Sequence, residues 1–400
     1  MSKGIGGSTA AAELASVTPW QDRAAAISPT ERQARLDRAR QLMAAHSVDA
    51  LLINAGTSLN YFAGVSWGAS ERLVAMILPR QGRPIIVCPA FERGSLEAEL
   101  RLEADLRLWQ EDEDPYTLVT GALQDQAGKR LALDPLAAFA IFSGLQRTGA
   151  DIEIVDGASI IDGCRSCKSA AELALMQQAK NMTLEVHRRA ARILAPGVTT
   201  TEVKRFIDQA HRAIGADDGS TFCIVQFGRA TAYPHGLPGE QRLQEGDMVL
   251  IDTGCRVQAY HSDITRSYVF GTPSAEQRRI WEVEHAAQAA AFAAAKPGQA
   301  CQAVDEAARA VLVKAGLGPD YRLPGLPHRT GHGIGLAIHE APYLVRGDRT
   351  ALAPGMCFSN EPMIVLPDQF GVRLEDHFYM TETGAAWFTQ PSPSIDAPFG

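Results

Sequence analysis

No run of eighteen apolar residues occurs in the chain, which predicts no membrane span. The opening MSKGIGGSTAAAELASVTPW carries one lysine and no continuous apolar stretch. It reads as a loose N-terminal arm over 1–27 rather than a signal peptide. Positive charge is in deficit: 38 Lys and Arg against 46 Asp and Glu leave a net charge of −8. That predicts no general attraction to nucleic acid or to an anionic membrane. Of seven cysteines only Cys164 and Cys167 form a C-x-x-C, and a zinc ribbon needs a second such pair. Scattered reduced thiols fit a cytoplasmic setting. The first 160 residues also lack a phosphate-cradling glycine loop.

What is present is enough for two cores. A chain of 400 residues, 46% hydrophobic, exceeds one ordinary domain. Helical apolar spacing over 31–47 is followed by strand-like runs at 49–55, 73–79 and 84–90, which predicts an α/β domain over 28–163. Ser169 with Glu172 forms a capping box, so a helix is expected from there to about Leu194. Further helices are expected from Thr200 or Thr201, over 274–295 and over 301–315. The remainder of 164–400 reads as two similar α+β halves. In each, two neighbouring strands carry one inward acid apiece: Asp252 and Asp263, then Glu361 and Glu375.

An acid in an apolar strand such as VLIDTG is costly unless it is paired or bound to a cation. One alone is usually a hydrogen-bonded structural group. Four in two matched hairpins point to a metal cluster. His332, in GHGIGLAIHE, sits between Gly331 and Gly333, which allow close backbone approach or strained turns. A neutral imidazole there would complete an oxygen-rich site. Such a site suits Mn or Co and tolerates Zn. Two divalent cations together can polarise a carbonyl and hold a bridging hydroxide.

The segments DTGCRVQAYHSDITRS, RTGHGIGLAIHEAP, NEP and GVRLEDH resemble those of the pita-bread metallopeptidases: prolidase, aminopeptidase P and methionine aminopeptidase. Asp252 and Asp263 lie eleven apart and Glu361 and Glu375 fourteen apart, as in that family. The segment before them is similar to the N-terminal domain of prolidase, aminopeptidase P and creatinase. Methionine aminopeptidase lacks that domain, and creatinase lacks the metal set. The resemblance implies a creatinase-like α/β N-terminal domain and a pita-bread α+β catalytic domain. It implies two divalent metal ions held by Asp252, Asp263, His332, Glu361 and Glu375, with Asp263 and Glu375 bridging.

It further implies catalytic roles for Glu361, as proton acceptor, and for His235 and His339, as donors to the tetrahedral oxyanion. His235, His339, Arg346 and Arg373 become substrate-binding candidates, Arg346 for a terminal carboxylate, while Arg373 is expected more to orient carboxylates within the site. Thr265 and Asp376 are expected to orient ligand carboxylates. Thr221 stands where some prolidases carry an aromatic residue. The expected activity is hydrolysis of the Xaa-Pro bond in dipeptides by a homodimer. Aminopeptidase P action on longer peptides and a metal-dependent lyase or amidase reaction on a small metabolite remain alternatives. A catalytically silent interaction module is disfavoured by five intact ligands.

Overall fold

The computed structural model describes residues 4–400. The chain divides into two compact units, one of residues 27–165 and one of 166–400 together with the residues up to Ala26.

The second unit begins with a short helix, α1 (Ala10–Ala15), capped by Thr9. The arm expected to be loose is anchored. Glu13 is buried and ion-paired with Arg192 at 3.2 Å and Arg189 at 3.5 Å. The amides of Gly6 and Trp20 donate to the carbonyls of Ala191 and Ile214, each at 2.9 Å. The sequence motive was present in Glu13, an acid whose partners stand some 180 residues away.

The unit 27–165 contains α2 (Pro29–Ala45), β1 (Ala50–Asn54), α3 (Thr57–Ala63), β2 (Ala75–Pro79), β3 (Ile85–Pro89), α4 (Arg93–Glu99) and β4 (Asp105–Trp109). It continues with α5 (Tyr116–Gln124), β5 (Arg130–Leu133), α6 (Phe139–Thr148), β6 (Glu153–Asp156) and α7 (Ala158–Arg165). The strands form one mixed sheet in the order β4-β3-β2-β1-β5-β6. β1, β2 and β3 are buried along their whole length, as their unbroken apolar runs require.

In the other unit α8 (Ala170–Arg192) starts at the Ser169 capping box, and α9 (Thr200–Ile214) starts at a second box on Thr199. β7 (Phe222–Phe227), β8 (Met248–Gly254), β9 (Arg256–Val257), β10 (Tyr260–His261) and β11 (Ile264–Val269) follow. α10 (Ala275–Ala294) and α11 (Cys301–Lys314) separate these from the second β-region. That region comprises β12 (Gly331–Gly333), β13 (Glu340–Leu344), β14 (Cys357–Asn360), β15 (Met363–Leu366), β16 (Phe370–Arg373), β17 (Asp376–Met380) and β18 (Ala385–Trp387).

The first β-region pairs as β11-β8-β7 and the second as β13-β12-β14-β17-β18, with β15 and β16 as a separate hairpin. One apolar cluster joins them, from Met248 and Leu250 through Ile280 and Trp281 to Phe358, Val372 and Phe378. Each such side chain, fully buried, contributes roughly 1.5–3 kcal/mol. Among the described residues no helix is long and apolar enough to cross a membrane.

Candidate metal centre

Register brings the first two acids together. Asp252 on β8 pairs with Thr265 on β11, and Asp263 precedes β11 directly. Alternation puts Asp263 and Thr265 on one face of that strand. In the second β-region Glu361 follows β14, Glu375 precedes β17, and His332 sits at the middle of β12. A Cβ at Gly331 would collide with the Ser359 carbonyl, and one at Gly333 with the Glu340 carbonyl. Neither glycine has a positive φ, so close approach rather than a strained turn explains both.

His332 Nδ1 hydrogen-bonds the Gly333 carbonyl at 3.0 Å and is therefore the protonated nitrogen. Its Nε2 faces Glu361 Oε1 at 3.0 Å and Asp263 Oδ2 at 3.7 Å, a second proton on it bonding Glu361 in the metal-free site and its lone pair being free for a cation once that proton leaves. Ser359 Oγ accepts from the His332 amide at 2.9 Å and donates to Glu361 at 3.1 Å. Thr265 donates to Glu375 Oε2 at 2.7 Å and accepts from Arg373 Nε at 3.0 Å. Arg373 is ion-paired with Asp252 and reaches the Pro234 carbonyl at 3.4 Å.

Charge is unbalanced here. Burial, then the charges of Glu375, Asp252 and Glu361, push Asp263 well above the usual carboxylate range. Burial, then Glu361 and Asp252, does the same to Glu375. Burial raises Asp252 despite Arg373. Burial also acts to raise Glu361, but its bond to His332 outweighs that and leaves it lowered. The Arg373 guanidinium cannot neutralise four carboxylates. Asp252 Oδ1 and Glu375 Oε1 are buried without a hydrogen-bond partner in the protein. Ligand atoms of His332, Glu361 and Glu375 lie within 4.8 Å of one another, as do those of Asp263, His332 and His339. Orphaned oxygens, surplus negative charge and an imidazole lone pair aimed inward all fit divalent cations.

The expected substrate groups divide. His339 is exposed, and its ring packs edge-on to His332 with centroids 4.2 Å apart. Burial and His332 lower its pKa to about 4. His235, on an exposed turn, follows the Pro234 carbonyl that Arg373 holds. Arg346 lies on the turn after β13 with its guanidinium engaged by Asp320. It is half exposed, paired with Asp320 at 2.5 Å, and beside the Tyr321 ring. Arg373 is buried, ion-paired with Asp252 and bonded to Thr265, so its guanidinium faces the carboxylates.

Thr265 touches Glu375 as expected, whereas Asp376 does not orient a ligand carboxylate. Asp376 forms a buried ion pair with Arg266 at 2.7 Å, and Arg266 in turn holds the Glu375 carbonyl at 2.8 Å. Ser359 and His377 were missed. The signal for both was parity: each lies two residues from a glutamate of the site.

The model of metallopeptidase family M24 matches residues 174–382, and that of the creatinase/prolidase N-terminal domain matches 35–167. The probable dipeptidase PepE of Mycobacterium tuberculosis is 36% identical over 351 residues, covering 86% of this chain and 92% of that protein. The Xaa-Pro dipeptidase of Lactobacillus helveticus is 33% identical, covering 90% and 98%. The crystal structure of dipeptidase PepE from Mycobacterium ulcerans superposes with a TM-score of 0.84 at 34% identity, covering 92% of this chain and 97% of that one. The chain with its buried carboxylates and inward imidazole is a member of metallopeptidase family M24, a hydrolase of two domains: a creatinase/prolidase N-terminal domain and a pita-bread catalytic domain.

Proposed function

We propose that the protein hydrolyses the Xaa-Pro bond of dipeptides. The convergence of Asp263, His332, Glu361 and Glu375, with the unpartnered Asp252 Oδ1 and Glu375 Oε1 beside them, supports this reading most strongly. Those five residues would hold two divalent ions, Mn or Co before Zn because oxygen ligands predominate. When bound, the ions supply Lewis acidity and lower the pKa of water at the site. Glu361 accepts the proton of the attacking water. His235 and His339, on the side open to solvent, donate hydrogen bonds to the oxyanion. Thr265 and Arg373 hold the carboxylates in place.

The names of the M. tuberculosis and L. helveticus relatives support dipeptides as substrates. We place the supporting domain at 28–163 and the catalytic domain at 164–400, in a cytoplasmic homodimer. Cleavage of longer peptides is the second reading, and one observation favours it. Arg346 spends its charge on Asp320 and leaves no reward there for a dipeptide's terminal carboxylate. The test is Mn-loaded protein against Gly-Pro, Ala-Pro, a tripeptide with proline second, and a proline-free dipeptide. Faster cleavage of Ala-Pro than of the tripeptide and of the control is expected. A preference for the tripeptide supports the second reading. Cleavage of the control alone defeats both.

A further inference from the structure

His377 follows Glu375 by two positions, and side chains two apart on an extended strand point the same way. Its Nε2 stands 3.8 Å from Glu375 Oε1. Ligand atoms of Asp263, Glu375 and His377 lie within 4.8 Å of one another. The imidazole is fully buried, and neither of its ring nitrogens has a hydrogen-bond partner in the protein. Glu375 Oε1, the oxygen it faces, is orphaned as well. Ser359 is directly opposite on β14, but its hydroxyl donates to Glu361. A buried polar ring without partners is costly, and a side chain serving only to pack would be apolar there. A lone pair and a carboxylate oxygen left open toward each other are what a shared cation compensates.

We propose that His377 is a sixth protein ligand of the metal centre, giving an imidazole to an ion that it shares with Asp263 and Glu375. The proposal rests on the reading of the site as a dinuclear metal centre. A second imidazole moves the centre's preference away from Mn and toward Co and Zn. It also makes the metal-free protein the one that carries the cost of the unpartnered ring.

The test uses His377→Leu and His377→Gln in the full chain. Metal-free protein is unfolded thermally, and Co and Mn uptake is measured by equilibrium dialysis with elemental analysis. Metal-free His377→Leu is expected to unfold at or above the wild-type temperature, because the orphaned group is gone. Both variants should bind one Co ion at least about tenfold more weakly than wild type, with a smaller loss for Mn. Wild-type affinity for both ions in either variant overturns the proposal. His377→Gln keeps a polar group of similar size, so wild-type affinity in that variant would mean a hydrogen-bonding role. If the wild type itself takes up no divalent ion, the dinuclear reading fails first and this proposal with it.

Discussion

A histidine beside a metal centre has two possible employments, and His339 separates them. Its ring packs against His332, and its ligand atoms lie close to those of Asp263 and His332, so position alone would allow ligation. Exposure favours a donor to the substrate oxyanion. His339→Ala is expected to keep its full metal content and to lower kcat by ~10²–10³-fold. Elemental analysis alongside steady-state rates checks this, and loss of an ion would make His339 a ligand. Arg346→Ala should leave KM for Ala-Pro within about twofold of wild type, as an exposed ion pair is worth little. A tenfold rise would return Arg346 to the carboxylate role. Legibility differed between these residues for a physical reason. The spacings of Asp252 to Asp263 and Glu361 to Glu375 are local, so the sequence displays them. The partner that captures Arg346 is Asp320, twenty-six positions away on a turn, and no pattern in the chain joins the two.

At the scale of the element, α10 shows how a helix behind the site supports it. Ile280, Trp281, Glu284, Ala287, Gln288 and Ala291 form its buried face, at helical spacing. Gln288 donates to the Leu374 carbonyl at 3.1 Å and to Asp376 at 3.3 Å, bracing the strand that carries Glu375. Glu284 is fully buried, and its oxygens make no hydrogen bond of ordinary geometry. Burial pushes its pKa well above the usual carboxylate range, against the Leu374 backbone and Arg373. The folded protein therefore keeps a proton that the unfolded chain releases above about pH 4.5. Stability from this group is complete below that pH and is lost as pH rises toward the folded pKa. Glu284→Gln is expected to remove this decline, worth up to about 1.4 kcal/mol per pH unit. Denaturant unfolding of both proteins at pH 5 and pH 7 measures it, and equal slopes would refute the account. The helix itself was legible from its richness in alanine and glutamate, and the structure adds the Ser274–Gln277 capping box that starts it. The acid on its inner face was not, because amphipathic spacing cannot tell a buried glutamate from an exposed one.

For the whole molecule, buried neutral histidines weaken the fold in acid, His187 and His211 among them. Burial lowers His187 and His211 to about 3 each. His211 joins Thr183 and Ser220 at 3.0 and 2.8 Å, and His187 is bonded to the Ile264 carbonyl at 2.9 Å. Both folded pKa values are depressed, so their stability is present above about pH 6.5 and lost as pH falls toward 3. Between pH 7 and pH 5 each is expected to cost about 2 kcal/mol. Metal-free His211→Gln should show a decline smaller by that amount in denaturant titrations, and an unchanged decline would place the titrating group elsewhere. Helical spacing places His187 in α8 and His211 in α9 without revealing that their rings are buried and neutral. Two domains and two acid-bearing β-regions were legible because hydrophobic runs, a capping box and ligand spacing are all local. Anchoring of residues 4–20 was not, since Glu13 and its arginines meet only after folding.

Hydrolysis is expected to depend on ions held by the buried carboxylates. The protein is to be stripped with a chelator, then titrated with Mn while bound metal and Ala-Pro hydrolysis are followed on the same samples. Two ions per chain are predicted, with activity absent in the stripped protein and restored as the ions bind. Asp263→Asn or Glu375→Gln should lose more metal than Glu361→Gln. Full hydrolysis of Ala-Pro after exhaustive chelation would contradict the account.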